Sequence, residues 1–139
     1  PEYGYLEELI RIRGLDQHAT LTGFLSDDEL AGALNASDIF IQPGAEREDD
    51  LESLGTALME ASWFGIPSIA GNVGSVEEIV RQGVSGFVVK PGDVRDIAAK
   101  LRELIVSTPL RRRLGENAKE IAQKEYDLGR TCAAIDVRL

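Results

Sequence analysis

The chain has 139 residues, 43% of them hydrophobic and 28% charged, the make-up of one globular domain able to bury about two-thirds of the surface its unfolded form exposes. Its formal charge of -9 argues against nucleic acid as a partner, because that interaction needs clustered Lys and Arg to displace counterions. The one basic run, Arg111-Arg112-Arg113, lies in a helical pattern and reads as a solvated helix face; no apolar stretch approaches the roughly 18 residues of a membrane span, and a lone Cys132 cannot form an internal disulfide, which is compatible with a reducing compartment.

In chain order, Leu6, Leu9, Ile10 and Arg13 recur at helical spacing, predicting a first amphipathic helix over 5–13 that stops at Gly14. Residues 20–22 then read as a short strand, preceded by His18, which has no second histidine or cysteine nearby and is expected to be an exposed loop residue. Gly23-Phe24-Leu25 forms a turn into a second helix reaching about Ala36, with Ser26 and Glu29 spaced as a capping box. The β-branched and aromatic run at 39–42 predicts a parallel strand, and it opens into Gly44 and an acidic loop through Asp50. That loop lacks the oxygen-ligand pattern of a calcium site and reads as solvated.

The stretch from Leu51 to Gly71 organises the rest. Leu54, Ala57, Leu58, Ala61 and Phe64 predict one apolar helical face, Gly65 and Pro67 end the helix, and 68–70 suits a covered strand. Glu52 and Glu60 stand eight residues apart, about 12 Å along a helix, farther than the paired carboxylates of glycosidases. With Glu52 at the helix entrance, the open N–H groups of Ser53, Leu54, Gly55 and Thr56 and the helix dipole would suit a phosphate, and Gly55 would admit a ligand close to the backbone. On spacing alone Glu52 and Glu60 fit equally well as a first-turn acid and a solvated helix residue. Downstream, Gly74 and a capping Ser75 lead into a short helix ended by Gly83, and 87–89 forms the next strand. Asp93 caps a helix with Val94, Ile97, Ala98, Leu101 and Ile105 inward. Thr108 caps another with Leu110, Leu114, Ala118, Ile121 and Ala122 inward, and Gly129 sets off a terminal helix or tail over about 126–139. The alternation predicts an α/β fold, a Rossmann-like parallel sheet with helices on both faces, in a single domain over 1–139.

Glu52-Ser53-Leu54-Gly55, Leu58-Met59-Glu60-Ala61 and Gly65-Ile66-Pro67 resemble the E-G-F-G…L-x-E-A-M-A-x-G-x-P-V-V block of retaining glycosyltransferases with the GT-B architecture, the group 1 or family 4, glycogen-synthase-like enzymes. Gly23-Phe24, Ala36 to Pro43, Val73-Gly74-Ser75 with Glu78-Ile79-Val80, and Gly83 to Asp93 follow in that family's order, so the resemblance covers nearly the whole chain. It implies the C-terminal, donor-binding half of a GT-B fold. A nucleotide-diphosphate sugar would be its partner, with Gly23 and Phe24 against the base, Glu60 on the ribose, Glu52 on the sugar, and Ser53, Leu54, Gly55 and Thr56 near sugar and phosphates. No metal or other cofactor is implied.

The family supplies its phosphate-binding Arg and Lys from a segment ahead of the part matched here, and neither Arg47 nor Arg81 falls at those positions. The resemblance therefore implies a fragment lacking the leading βα elements and the acceptor-binding N-terminal domain, with no catalytic residue of its own, and a cytoplasmic or membrane-peripheral full-length protein. Ser53-Leu54 in place of Gly-Phe, Trp63-Phe64 in place of small residues and Ser75 in place of a second glycine depart from the pattern and bear on donor identity. Gly74-Ser75-x-Glu77-Glu78 is also similar to a turn of nucleotide-sugar 2-epimerases, which share the architecture. An isomerase fragment and a non-catalytic nucleotide-binding scaffold thus stand as alternatives.

Overall fold

The computed structural model describes residues 2–44 and 51–125, of which the side chains at 2 and 51–54 are not described. The acidic loop with Arg47, the tail over 126–139 and Cys132 lie outside the described residues. The chain divides into two compact units, Pro1–Ala33 and Leu34–Leu139.

In the first unit, α1 (Glu2–Ile12) ends ahead of Gly14, whose φ of +63° takes the chain out of the helix. The Tyr3 hydroxyl donates to the carbonyl of Leu21 at 3.1 Å. Residues 20–22 form no strand. A strand exists only through a ladder partner, and the described part of this unit offers no second extended segment, so the β-prone threonines remain irregular. The capping box forms as expected at the start of α2 (Asp27–Asn35): Glu29 Oε2 accepts from the Ser26 N–H at 2.9 Å and from its hydroxyl at 2.7 Å, while Ser26 Oγ accepts from the Glu29 N–H at 3.4 Å.

The second unit is built on a parallel sheet of β1 (Phe40–Gln42), β2 (Ser68–Gly71) and β3 (Gly86–Val89), in that order, with Phe40 opposite Ser68 and Ser68 opposite Gly86. Strand alternation divides the core. Ala70 faces Leu58 of α3 (Leu51–Trp63) and Val76 and Ile79 of α4 (Val76–Ile79), with Phe40 packed against them. Ile69, Phe87 and Val89 face Leu104 of α5 (Val94–Val106) and Leu114 of α6 (Thr108–Glu125). Helices thus cover both faces of a parallel α/β sheet. The strands at 39–42, 68–70 and 87–89 are where the sequence predicts them.

Several local expectations shift. The inward stripe of α5 runs through Ile97, Leu101 and Leu104, whereas Val94 and Ile105 are 73% and 59% exposed. At 100° per residue the buried face is rotated by about 50° toward Leu104, because α5 must meet β3 and α6 together. The α6 cap is Ser107, whose Oγ accepts from the Leu110 N–H at 3.4 Å; Thr108 is already helical and its hydroxyl accepts from Arg111. Ser75 precedes α4 without a side-chain capping bond, and α4 ends at Ile79, ahead of Gly83. Phe64 falls just past α3 and is half-exposed. There Gly65, at φ +74°, turns against α6: a Cβ on Gly115 would lie 2.1 Å from the Gly65 carbonyl oxygen, so glycine at 115 lets α6 sit directly on the turn that ends α3.

Candidate functional site at the carboxyl edge of the sheet

In an open α/β sheet the loops beyond the strand carboxyl ends gather helix N-termini and glycine turns, and ligands bind there. This edge of the second unit is formed by Pro43-Gly44 after β1, Asn72-Val73-Gly74 after β2, Lys90 to Asp93 after β3, and the starts of α3, α4 and α5. The exits of β1 and β2 are pressed together backbone to backbone. A Cβ on Gly71 would lie 2.0 Å from the Pro43 carbonyl oxygen, and one on Gly44, at φ +67°, would lie 3.1 Å from Val73 Cγ2. The floor of the edge is therefore bare main chain. Asn72 is fixed on it, its N–H donating to the Val89 carbonyl at 2.8 Å and its side-chain amide to Glu77 Oε1 at 3.0 Å.

Helix α3 begins at Leu51, so its open N–H donors belong to residues 51–54, and Gly55 and Thr56 lie in the second turn with their N–H groups inside the helix. Gly55 is packed toward α4, where a Cβ would stand 3.5 Å from Ile79 Cδ1, and Thr56 is exposed. Glu52 and Glu60 both belong to α3, which sets them about 12 Å apart along its axis as the spacing predicts. Glu60 is half-buried, and its carboxylate has no hydrogen bond or ion pair among the described residues. A carboxylate so placed is available to accept from a ligand's hydroxyl groups. Ser53, Leu54 and Glu52 are placed on α3 by backbone alone.

Sequence reasoning passed over two cations. Lys90 and Arg95 border a depression of about 400 Å³ lined also by Pro91, Gly92, Asp93 and Val94, at the carboxyl end of β3. They lie on the sheet edge where an anion would be bound; no short motif marked them, since only the topology brings the β3 exit to that edge. Arg81, by contrast, sits near the amino end of β3 and pairs with Glu125 at 2.5 Å. The Asp93 carboxylate caps α5 as expected, accepting from the N–H groups of Arg95 and Asp96, both at 3.1 Å. In the first unit, Gly23 has φ +65° and Phe24 is 97% exposed, so its ring packs into no core. Among the described residues, no three His, Cys, Asp or Glu side chains are grouped to hold a metal ion, and no helix is long and apolar enough to cross a membrane.

Comparison with known proteins places this geometry. The model of the family "Glycosyl transferases group 1" matches residues 1–121. A sulfoquinovosyl transferase of Arabidopsis thaliana is 36% identical over 112 residues, 78% of this chain and 21% of the relative. A GDP-mannose-dependent α-(1-6)-phosphatidylinositol monomannoside mannosyltransferase of Mycobacterium tuberculosis is 34% identical over 130 residues, 88% of this chain and 34% of the relative. Among solved structures, the C-terminal domain of the group 1 glycosyl transferase LpcC from Francisella tularensis superposes with a TM-score of 0.79 at 25% identity, covering 91% of this chain and 63% of that one. Anabaena HepE in complex with UDP-glucose gives 0.80 at 25% identity, covering 99% of this chain and 37% of that one. The chain thus spans about a fifth to a third of the curated relatives' length. A family match over 121 residues, the open parallel sheet and neighbours that are GT-B enzymes agree: the chain belongs to the group 1 glycosyl transferases and has the GT-B, Rossmann-like architecture of their C-terminal domain.

Proposed function

We propose that this chain is the donor-binding half of a retaining glycosyltransferase, holding a nucleotide-diphosphate sugar at the carboxyl edge of its sheet for transfer to an acceptor carried elsewhere in the full-length protein. The observation that carries the reading is the conjunction of a bare main-chain floor at Gly44 and Gly71 with the half-buried Glu60, whose carboxylate has no partner among the described residues, on the helix that starts at that edge. Glu60 accepts hydrogen bonds from the ribose diol, and Glu52, two turns nearer the helix start, from hydroxyls of the transferred sugar. The first turn of α3, including Ser53 and Leu54, offers dipole and N–H groups to the diphosphate and sugar, with Gly55 and Thr56 in the turn behind it.

The reaction breaks the bond between the anomeric carbon and the diphosphate oxygen, so negative charge grows on the leaving diphosphate and must be met by preorganised donors and cations. The α3 N-terminus supplies part of this, Lys90 and Arg95 border the same edge, and we assign further cations and the acceptor site to other parts of the full-length protein. No metal is assigned to the chemistry. On this account the 139-residue chain binds donor but does not turn it over. A charge-assisted hydrogen bond contributes about 1.5–3 kcal/mol, so Glu60→Ala should weaken donor binding about 10- to 150-fold in a calorimetric titration with UDP-glucose or GDP-mannose. Equal affinity in the variant removes Glu60 from the site.

A further inference from the structure

Among the described residues, two side-chain atoms are shut off from solvent without a hydrogen-bond partner, the Oε1 of Gln42 and the Oγ of Ser68, and they lie at opposite ends of the sheet. Ser68 is the first residue of β2, at the amino edge. Gln42 is the last residue of β1, at the carboxyl edge, immediately before Pro43-Gly44 and the close approach to Gly71. Its partner across the ladder is Ala70, and it shares the strand face of Phe40, so its side chain stands on the side covered by α3 and α4. A glutamine at this end of the face stands out: Phe40, Ala70 and Val88 are apolar, and the one other polar side chain on the face, Ser68, lies at the amino edge. Burying an amide without a partner is unfavourable, and an apolar residue of similar size would avoid the penalty.

We infer that Gln42 is a donor-positioning residue whose amide is completed by a hydroxyl of the bound nucleotide sugar. This rests on the donor site proposed above. A hydroxyl is the fitting group because it both donates and accepts, and so satisfies either end of the amide. A diphosphate oxygen only accepts and cannot satisfy a buried carbonyl oxygen. Gln42 and Glu60 would then hold the sugar-bearing part of the ligand from the sheet and from the helix.

The two orphaned atoms make the test internally controlled. Gln42→Leu, with Gln42→Met as a second variant of similar length should the branched residue disturb folding, and Ser68→Ala are compared with the unaltered chain by thermal melting and by titration with UDP and UDP-glucose. All should melt at or above the temperature of the unaltered chain, since each removes an unsatisfied buried atom. Only the Gln42 variants should bind more weakly, by about 5- to 30-fold, the loss of one hydrogen bond to an otherwise orphaned group. Weakening for UDP and UDP-glucose alike assigns the hydroxyl to the ribose, and for UDP-glucose alone to the transferred sugar; both support the inference. Unchanged affinity in the Gln42 variants, with the unaltered chain binding, overturns it and leaves the donor site standing. Absence of binding by the unaltered chain overturns the donor site itself.

Discussion

Replacing Gly71 by alanine tests whether the floor of the site is as tight as the backbone packing indicates. The new methyl group would lie 2.0 Å from the Pro43 carbonyl oxygen, 2.7 Å from its carbon and 3.2 Å from the Gly44 nitrogen, all backbone atoms that cannot rotate away. Relief to an ordinary contact requires the β1 and β2 exits to separate by more than about 1 Å, which combines overpacking of about 1–3 kcal/mol with the loss of about one ladder hydrogen bond, about 1 kcal/mol. For 139 residues the unfolding entropy is roughly 0.3 kcal/mol/K, so a loss of about 2–4 kcal/mol lowers Tm by about 7–14 °C. Gly92→Ala is the comparison, since Gly92 has φ +74° but open space around its Cβ and carries only backbone strain, about 1–2 kcal/mol. Differential scanning calorimetry of both variants decides the matter. A Gly71→Ala drop no larger than that of Gly92→Ala would refute the close approach.

Gly115→Ala should destabilise by a comparable amount, because its methyl group would stand 2.1 Å from the Gly65 carbonyl oxygen, and chemical denaturation would contradict this packing if the midpoint held. Gly32→Ala, in an exposed stretch of α2 with nothing within 4 Å of the new methyl group, should instead stabilise by about 0.5–1 kcal/mol, read as a rise in the same midpoint. The Glu29 carboxyl is held below the usual carboxylate range, first by the Ser26 N–H and then by the Ser26 hydroxyl. Its contribution to α2 is therefore present above the ordinary carboxylate pKa and is lost as pH falls through the depressed folded value. Ser26→Ala removes the hydroxyl bond but keeps the N–H, so the Glu29 titration followed by carbon NMR should move part of the way up; an unmoved midpoint would contradict the capping box.

The elements that chemistry fixes locally were legible in the sequence. The three strands of the sheet are short apolar runs bounded by Gly and Pro, the Ser26/Glu29 box and the Asp93 cap follow from side chains acting within three residues, and Gly65 and Gly14 end helices through their positive φ. Properties set by distant partners were not legible. Residues 20–22 have strand composition but no ladder partner in their unit, and Leu104 rather than Ile105 turns inward because α5 is shared between β3 and α6. The cap of α6 shifted by one residue because serine and threonine stand side by side at 107 and 108, and either can cap. At the site, the block around Glu60 is local and was found. Lys90, Arg95 and Gln42 reach the same edge only through the order of the strands, which no spacing encodes.

The location of the donor site is tested most directly by following the amide resonances of the labelled chain while UDP-glucose, and separately GDP-mannose, is added at constant ionic strength. The account predicts saturable shifts concentrated at Gly44, Gly55, Thr56, Gly71, Asn72 and Gly74, the carboxyl edge, with those at the amino edge around Ser37, Asp38, Thr108 and Arg112 unmoved. Saturable shifts centred on the amino edge, or none at the carboxyl edge with either nucleotide sugar, would contradict it.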